Sequence, residues 1–166
     1  KRPQGFQTLV LLILEQQVSI DSAKATFLKL KKAIPVFSEE NVYAFSDAEF
    51  RLCGVSRQKT SYIKALAEAV LNGQLNIESL AAKPPDFVRA ELIKIKGIGN
   101  WTIDIYLMFC LNSLDIIPLG DIAVVNTLKE LFNLHTKEEM EEKAQNWQPY
   151  RSVATYFLWH YYLGKR

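Results

Sequence analysis

The chain is poor in cysteine, in long apolar runs and in charge of one sign. It has two cysteines in 166 residues, Cys53 and Cys110, far apart in sequence and in apolar surroundings. They form no CxxC pair, and two thiolates are too few for a four-cysteine iron–sulfur cluster, so no such cofactor is expected. Buried free thiols in a reducing compartment are the simpler reading. No apolar run approaches the about 20 residues that a membrane span needs. The opening KRPQGFQTLVLLILEQQ is basic and then apolar, as a signal peptide would be. No small-residue cleavage site follows, and Glu15, Gln16 and Gln17 close the run on a helical period, so it reads as a core helix. The chain starts almost on that helix, as it would if a further segment preceded it. Lys and Arg number 20 against 18 Asp and Glu, a net charge of +2. That balance permits a nucleic-acid partner only through a local basic patch. No segment alternates as a strand does, and repeats and low-complexity tracts are absent.

Helical periodicity is what remains, and with 49% hydrophobic residues it suits one domain with a sizeable core. Helices are expected from Phe6 to Gln17, from Ser19 to Pro35, and as one or two short pieces from Asn41 to Cys53 broken near Ser46 and Asp47. Ser56 is placed to cap Lys59–Leu71, whose Ile63, Leu66, Ala67 and Val70 share a face, and Asn72-Gly73 stops it. A short helical turn over Ile77–Ala82 follows. Pro84-Pro85 opens Asp86–Ile95, and Trp101–Leu111 comes after a tight turn. Asp121 starts a helix to Phe132 with Val124, Val125, Leu128, Leu131 and Phe132 inward. Thr136 caps the next, with Glu138 and Glu139 set for the helix dipole, and Pro149 opens Tyr150–Leu163. The fold class is all-α with about ten helices, too many and too short for a simple bundle.

The tight turn is Ile95-Lys96-Gly97-Ile98-Gly99-Asn100. Glycine accepts positive φ and lets another backbone approach, and the turn runs into a helix N-terminus with unpaired N–H groups. Those donors suit an anion, usually phosphate, with Lys94 and Lys96 adding charge. Taken alone, the same pattern equally describes a glycine C-cap between two helices.

Four segments occur together in one order: LEQQVSIDSA, LIKIKGIGNWTIDIYLMFCL, LGDIAVVNTL and WQPYRSVATYFLW. This set resembles the helix-hairpin-helix (HhH-GPD) DNA glycosylase superfamily, most closely its DNA-3-methyladenine glycosylase II branch, over Phe6 to Leu163. The resemblance implies two lobes around a cleft, roughly residues 20–114 and residues 1–19 with 115–166. It implies a monomer that flips an alkylated purine out of damaged duplex DNA and hydrolyses its N-glycosidic bond, in the nucleoid or the nucleus according to organism.

By the same resemblance Asp121 is the catalytic carboxylate. A helix N-cap is its ordinary role, and the two are compatible, because donors at the helix start favour the ionised form. A fixed anion opposes the positive charge that builds on the sugar. Asp104 and Asp115 are its rivals, the first a solvated or ion-paired side chain in mid-helix, the second in a loop. Trp101 and Trp159 would line the base pocket with Ile105 and His160, since indole faces suit a cationic base. Bifunctional relatives carry a Schiff-base lysine where Trp101 stands, so hydrolysis without strand cleavage is implied. Lys96, Gly97, Ile98, Gly99, Asn100 and Thr102 would hold DNA, and Gln17 would fill the gap left by the flipped nucleotide. The carbonyls of Ile93, Ile95 and Ile98 would hold a monovalent cation. Lys24, Lys29, Lys31 and Lys32, with Arg57, Lys59 and Lys64, extend a phosphate track or simply coat solvated helix faces. Arg151 reads as structural. A non-catalytic DNA-binding module, a bifunctional glycosylase/lyase and a hairpin that binds a protein remain the alternatives.

Overall fold

A computed structural model describes residues 1–165. Among the described residues it contains ten α-helices, one 3₁₀ turn and no strand. The helices are α1 (Phe6–Glu15), α2 (Ile20–Ala33), α3 (Glu39–Ala44), α4 (Asp47–Leu52), α5 (Arg57–Leu71), α6 (Pro85–Leu92), α7 (Asn100–Phe109), α8 (Ile122–Phe132), α9 (Lys137–Gln145) and α10 (Arg151–Leu163), with the 3₁₀ turn at Glu78–Ala82. Among the described residues no helix is long and apolar enough to cross a membrane.

Short polar side chains start most of these helices. Ser19, Ser38, Ser46, Ser56 and Thr136 each accept a hydrogen bond from an N–H in the first turn, and Ser46 with Glu49 and Thr136 with Glu139 form reciprocal capping boxes. Each cap contributes about 1 kcal/mol. The stretch expected as one or two helices is two, α3 and α4, because Ser46 caps a new start. α1 stops at Glu15, short of Gln17, and α6 stops at Leu92, short of Ile95.

The larger core runs from Phe6 to Ile116 and includes the fully buried Leu9, Leu12, Ile13, Phe50, Leu66, Leu92 and Tyr106. α1 lies inside it, packed on α2, α5 and α7. This corrects the expected lobes, which set residues 1–19 with 115–166. A helix apolar almost all round has to be covered on every side, and α2, α5 and α7 supply that cover. A smaller core of Val124, Leu128, Met140 and Leu158 joins α8, α9 and α10, and Trp159 packs against both cores. Leu131 and Phe132, expected inward, are 45% and 38% exposed. The last turn of α8 extends past this small core, and Asn133 ends it in a left-handed conformation. The Phe132 ring meets Trp147 and the Lys143 ammonium instead.

Two polar clips set the helices that bear the hairpin and the loop before α8. On α6, Arg89 donates to Asn100 and to the buried Asp104 of α7. Burial raises the Asp104 pKa, and Arg89 opposes that shift. Arg151 at the start of α10 grips Asp115 through Nε and Nη2, at 2.7 and 2.9 Å. Those hydrogen bonds hold the Asp115 carboxyl below its usual range. Ser152 accepts from the Ile116 N–H at 3.0 Å, which completes the anchoring of the loop that delivers Asp121. Both cysteines are buried and free, and burial pushes the Cys110 thiol up to about 11.

Candidate active site

A cleft of about 1190 Å³ is bounded by the turn after α1, the hairpin between α6 and α7, one face of α7, the start of α8 and the end of α10. Trp101, Ile105 and Phe109 line it together. They are spaced four apart on α7, the interval that stacks side chains on one helix face. Phe109 stacks on Trp159 of α10, with ring centroids 5.7 Å apart and planes at 20°.

Asp121 lies where these elements meet. It is the N-cap of α8, and its Oδ1 accepts from the N–H groups of Ala123 and Val124 at 3.0 and 3.1 Å. The same oxygen accepts from Trp159 Nε1 at 3.1 Å, and Oδ2 accepts from Trp101 Nε1 at 3.0 Å. Four N–H donors thus converge on one carboxyl, a set that only an acceptor can satisfy. The indole bonds also fix the orientation of both tryptophans. Oδ1 is crowded, whereas among the described residues Oδ2 accepts a single bond and retains a lone pair for a ligand. Such an arrangement stabilises positive charge developing beside an aromatic pocket.

The hairpin supplies the second feature. Gly97 has φ +88°, a conformation that L side chains rarely adopt. A Cβ there would lie 2.0 Å from Cγ of Tyr62, which α5 packs beneath the turn. Gly99 differs: its φ is −101°, and a Cβ on it would meet nothing within 4 Å. It is the N-cap of α7 and has no side-chain cap, so the first N–H groups of that helix stay open to a ligand. Gly99→Ala is therefore expected to change stability by no more than about 0.5 kcal/mol. If phosphate approaches here, the same substitution weakens DNA binding by about tenfold, a loss of about 1.4 kcal/mol. Fluorescence anisotropy beside a thermal melt reads the two effects separately, and an unchanged affinity would place the phosphate elsewhere.

The expected residues do not all converge. Trp101, Ile105, Asp121, Trp159, Gly97, Ile98, Gly99, Thr102 and Gln17 all line the cleft. His160 is exposed and does not, because the next side chain on α10 to reach the cleft after Trp159 is Tyr162, almost a full turn on. Thr102 is 1% exposed and accepts from Gln16, so its hydroxyl is not a surface DNA contact. Ile98 is buried too, leaving its backbone for a ligand. Asn100 is exposed with its carbonyl oxygen held by Arg89, and Lys96 is exposed at the turn. Asp104 and Asp115 face their arginines outside the cleft. Lys59 donates to the Leu14 carbonyl at 2.6 Å and Lys64 pairs with Asp47, so neither ammonium is free for a phosphate track.

Sequence reasoning missed Arg2, Glu15, Gln16, Tyr62, Phe109 and Tyr162, which also line the cleft. Phe109 was accessible from its spacing to Trp101 and Ile105. Glu15 carried one signal, a lone charge ending an apolar helix; it is 7% exposed and pairs with Arg2 at 2.8 Å. The others have no local signal.

Residues 10–150 match the model of the HhH-GPD superfamily of base excision DNA repair proteins. The chain is 40% identical to the alkylbase DNA glycosidase-like protein mag2 of Schizosaccharomyces pombe over 111 residues, which cover 64% of this chain and 52% of that protein. It is 34% identical to the DNA-3-methyladenine glycosylase of Bacillus subtilis, over 95% of this chain and 57% of that enzyme. The crystal structure of a DNA-3-methyladenine glycosidase from Bacillus halodurans matches with a TM-score of 0.84 at 34% identity, covering 98% of this chain and 77% of that one. The chain thus spans little more than half the length of these two curated relatives. With a family match over most of its length and a cleft built around the hairpin and Asp121, the chain belongs to the HhH-GPD superfamily of base excision DNA repair proteins.

Proposed function

We propose that the chain is a monofunctional DNA glycosylase that removes alkylated purines of the 3-methyladenine type from duplex DNA. The observation that carries this reading is the Asp121 carboxylate, held by four donors, two of them tryptophan indoles, in the wall of an aromatic cleft. Alkylation at a ring nitrogen makes the purine cationic, so it stacks well on indole and leaves readily. Little leaving-group acid is then needed, and the protein's part is to hold the base, exclude solvent and place an anion against the sugar. Asp121 Oδ2 takes that position and orients the water that attacks the sugar carbon. The open N–H groups at the start of α7 hold a DNA phosphate without reading sequence, and Gln17 enters the duplex where the base has left.

The wider reading has the chain acting as a monomer on genomic DNA. A monovalent cation would be held by the carbonyls of Ile93, Ile95 and Ile98 and would supply positive charge to the bound phosphate. The bonding of the turn fits this: among the described residues the Ile95 carbonyl accepts one bond, from the Ile98 N–H at 3.0 Å, and retains its second lone pair.

The test is base release from duplexes containing 3-methyladenine, 7-methylguanine, ethenoadenine, hypoxanthine or 8-oxoguanine. Release of the methylated purines, with no DNA complex trapped by borohydride, is the expected result. No lysine lines the cleft among the described residues to form a Schiff base. Tight DNA binding with no release at any enzyme concentration would make the chain a lesion-binding module, and a trapped adduct would make it a lyase.

A further inference from the structure

Four residues, 16–19, link α1 to α2 and line the same cleft as Asp121. Their backbone is loosely bonded. Gln16 N–H reaches the Ile13 carbonyl at 3.4 Å, and Val18 N–H reaches the Glu15 carbonyl at 3.4 Å. At the apex Gln17 is exposed and has φ +59°, the left-handed region that non-glycine residues avoid. A residue kept in that conformation persists only where its surroundings over-determine it. Weak turn bonds do not do so, and the constraint has to come from side chains.

One side chain spans the gap. The Gln16 amide nitrogen donates to the Gly97 carbonyl at 2.8 Å and to the Thr102 hydroxyl at 3.1 Å. Both protons of one amide are spent on residues 81 and 86 positions away in sequence. Both acceptors are rigid. Gly97 is pinned over the Tyr62 ring, and Thr102 is buried in the first turn of α7. The hairpin that would take the phosphate and the link that would enter the duplex are therefore joined by a single planar group. Among the neutral unbranched side chains, glutamine alone offers two amide protons at this length. Glutamate has no proton to donate, methionine has the length without the donors, and asparagine is a carbon short.

We infer that Gln16 is a positioning residue that ties the hairpin to Gln17, so that phosphate capture fixes where Gln17 enters the duplex. It acts before the bond is broken, on nucleotide flipping, and touches neither the base nor the sugar. The inference rests on the proposed role of Gln17.

The experiment is a double-mutant cycle of Gln16→Met, Gln17→Ala and the pair. Flipping is read by 2-aminopurine fluorescence beside the lesion, which does not depend on base release, and kcat/KM is measured alongside. Gln16→Met is expected to weaken flipping by about tenfold in the wild-type background and by less than about twofold in the Gln17→Ala background, the signature of coupled residues. Gln16→Glu, which keeps the size and loses the donors, is expected to behave like Gln16→Met. Release from single-stranded methylated DNA, where no gap needs filling, is expected to fall less than release from the duplex. Equal losses in both backgrounds, or on single-stranded and duplex substrates alike, would mean that Gln16 merely supports the fold and would overturn the inference. So would an unimpaired Gln16→Met. If Gln17→Ala alone flips normally, the role of Gln17 falls and takes this inference with it, whereas a wild-type protein that flips without releasing base removes only the proposed activity.

Discussion

Asp121→Asn is expected to slow base release by about 10²–10³-fold, the usual loss when one placed electrostatic group is removed from a transition state. Stability should fall only by about 1–2 kcal/mol. Geometry separates the two numbers. Asparagine keeps Oδ1, so the bonds from Ala123, Val124 and Trp159 can survive. Its amide nitrogen then faces the Trp101 N–H, donor against donor, where Oδ2 accepts at 3.0 Å. One bond is lost, and so is the negative charge that the proposed mechanism sets against the sugar. Single-turnover rates on methylated duplex DNA measure the chemistry, and urea unfolding measures the fold. Asp104→Asn is the control, because Asp104 is paired with Arg89 away from the cleft. It should leave the single-turnover rate at saturating enzyme unchanged. An Asp121→Asn protein that released 3-methyladenine at the wild-type rate would end the proposed mechanism.

Gly97→Ala is expected to cost about 3 kcal/mol of stability and most of the DNA affinity. Two penalties add. A methyl group at φ +88° sits in a region that costs an L residue about 1–2 kcal/mol. It would also lie 2.0 Å from the Tyr62 ring, and forced overpacking typically costs about 1–3 kcal/mol more. Tyr62 cannot move without disturbing α5, so the hairpin would shift and carry the open N–H groups of α7 with it. Adding Tyr62→Ala should recover the steric part and leave the conformational part, giving a double mutant better than the sum of the singles. Chemical denaturation and anisotropy on one set of proteins decide this. A Gly97→Ala protein within about 0.5 kcal/mol of wild type, the range of an ordinary surface change, would mean that the turn is not held as described. The contrast with Gly99→Ala is informative, because the sequence presents the two glycines as equivalents.

Much of the fold is legible in the order of the residues. Ser19, Ser46, Ser56 and Thr136 announce helix starts, Asn72-Gly73 announces an end, and the turn at Gly97-Ile98-Gly99 separates two helices as expected. Asp121 is recognisable as a helix N-cap, and the lack of a lysine at position 101 is plain. These features depend on backbone bonds and side chains within about one helical turn, and that range is what a pattern of spacing records.

Tertiary packing decided the rest. That a Cβ would clash at Gly97 and meet nothing at Gly99 depends on Tyr62, a residue of another helix. That Thr102 answers to Gln16, and that His160 turns away from the cleft while Tyr162 reaches it, depends on how α1, α7 and α10 lie against one another. The burial of α1 in the larger core and the convergence of Trp101 and Trp159 on Asp121 have the same origin. Residues so far apart in the chain leave no periodic trace of their contacts, because those contacts exist only once the helices have packed. Local patterns in the chain set the helices, their caps and the place of one acid, Asp121, at the start of α8. Packing between distant segments chose which side chains hold that acid and which ones share its cleft.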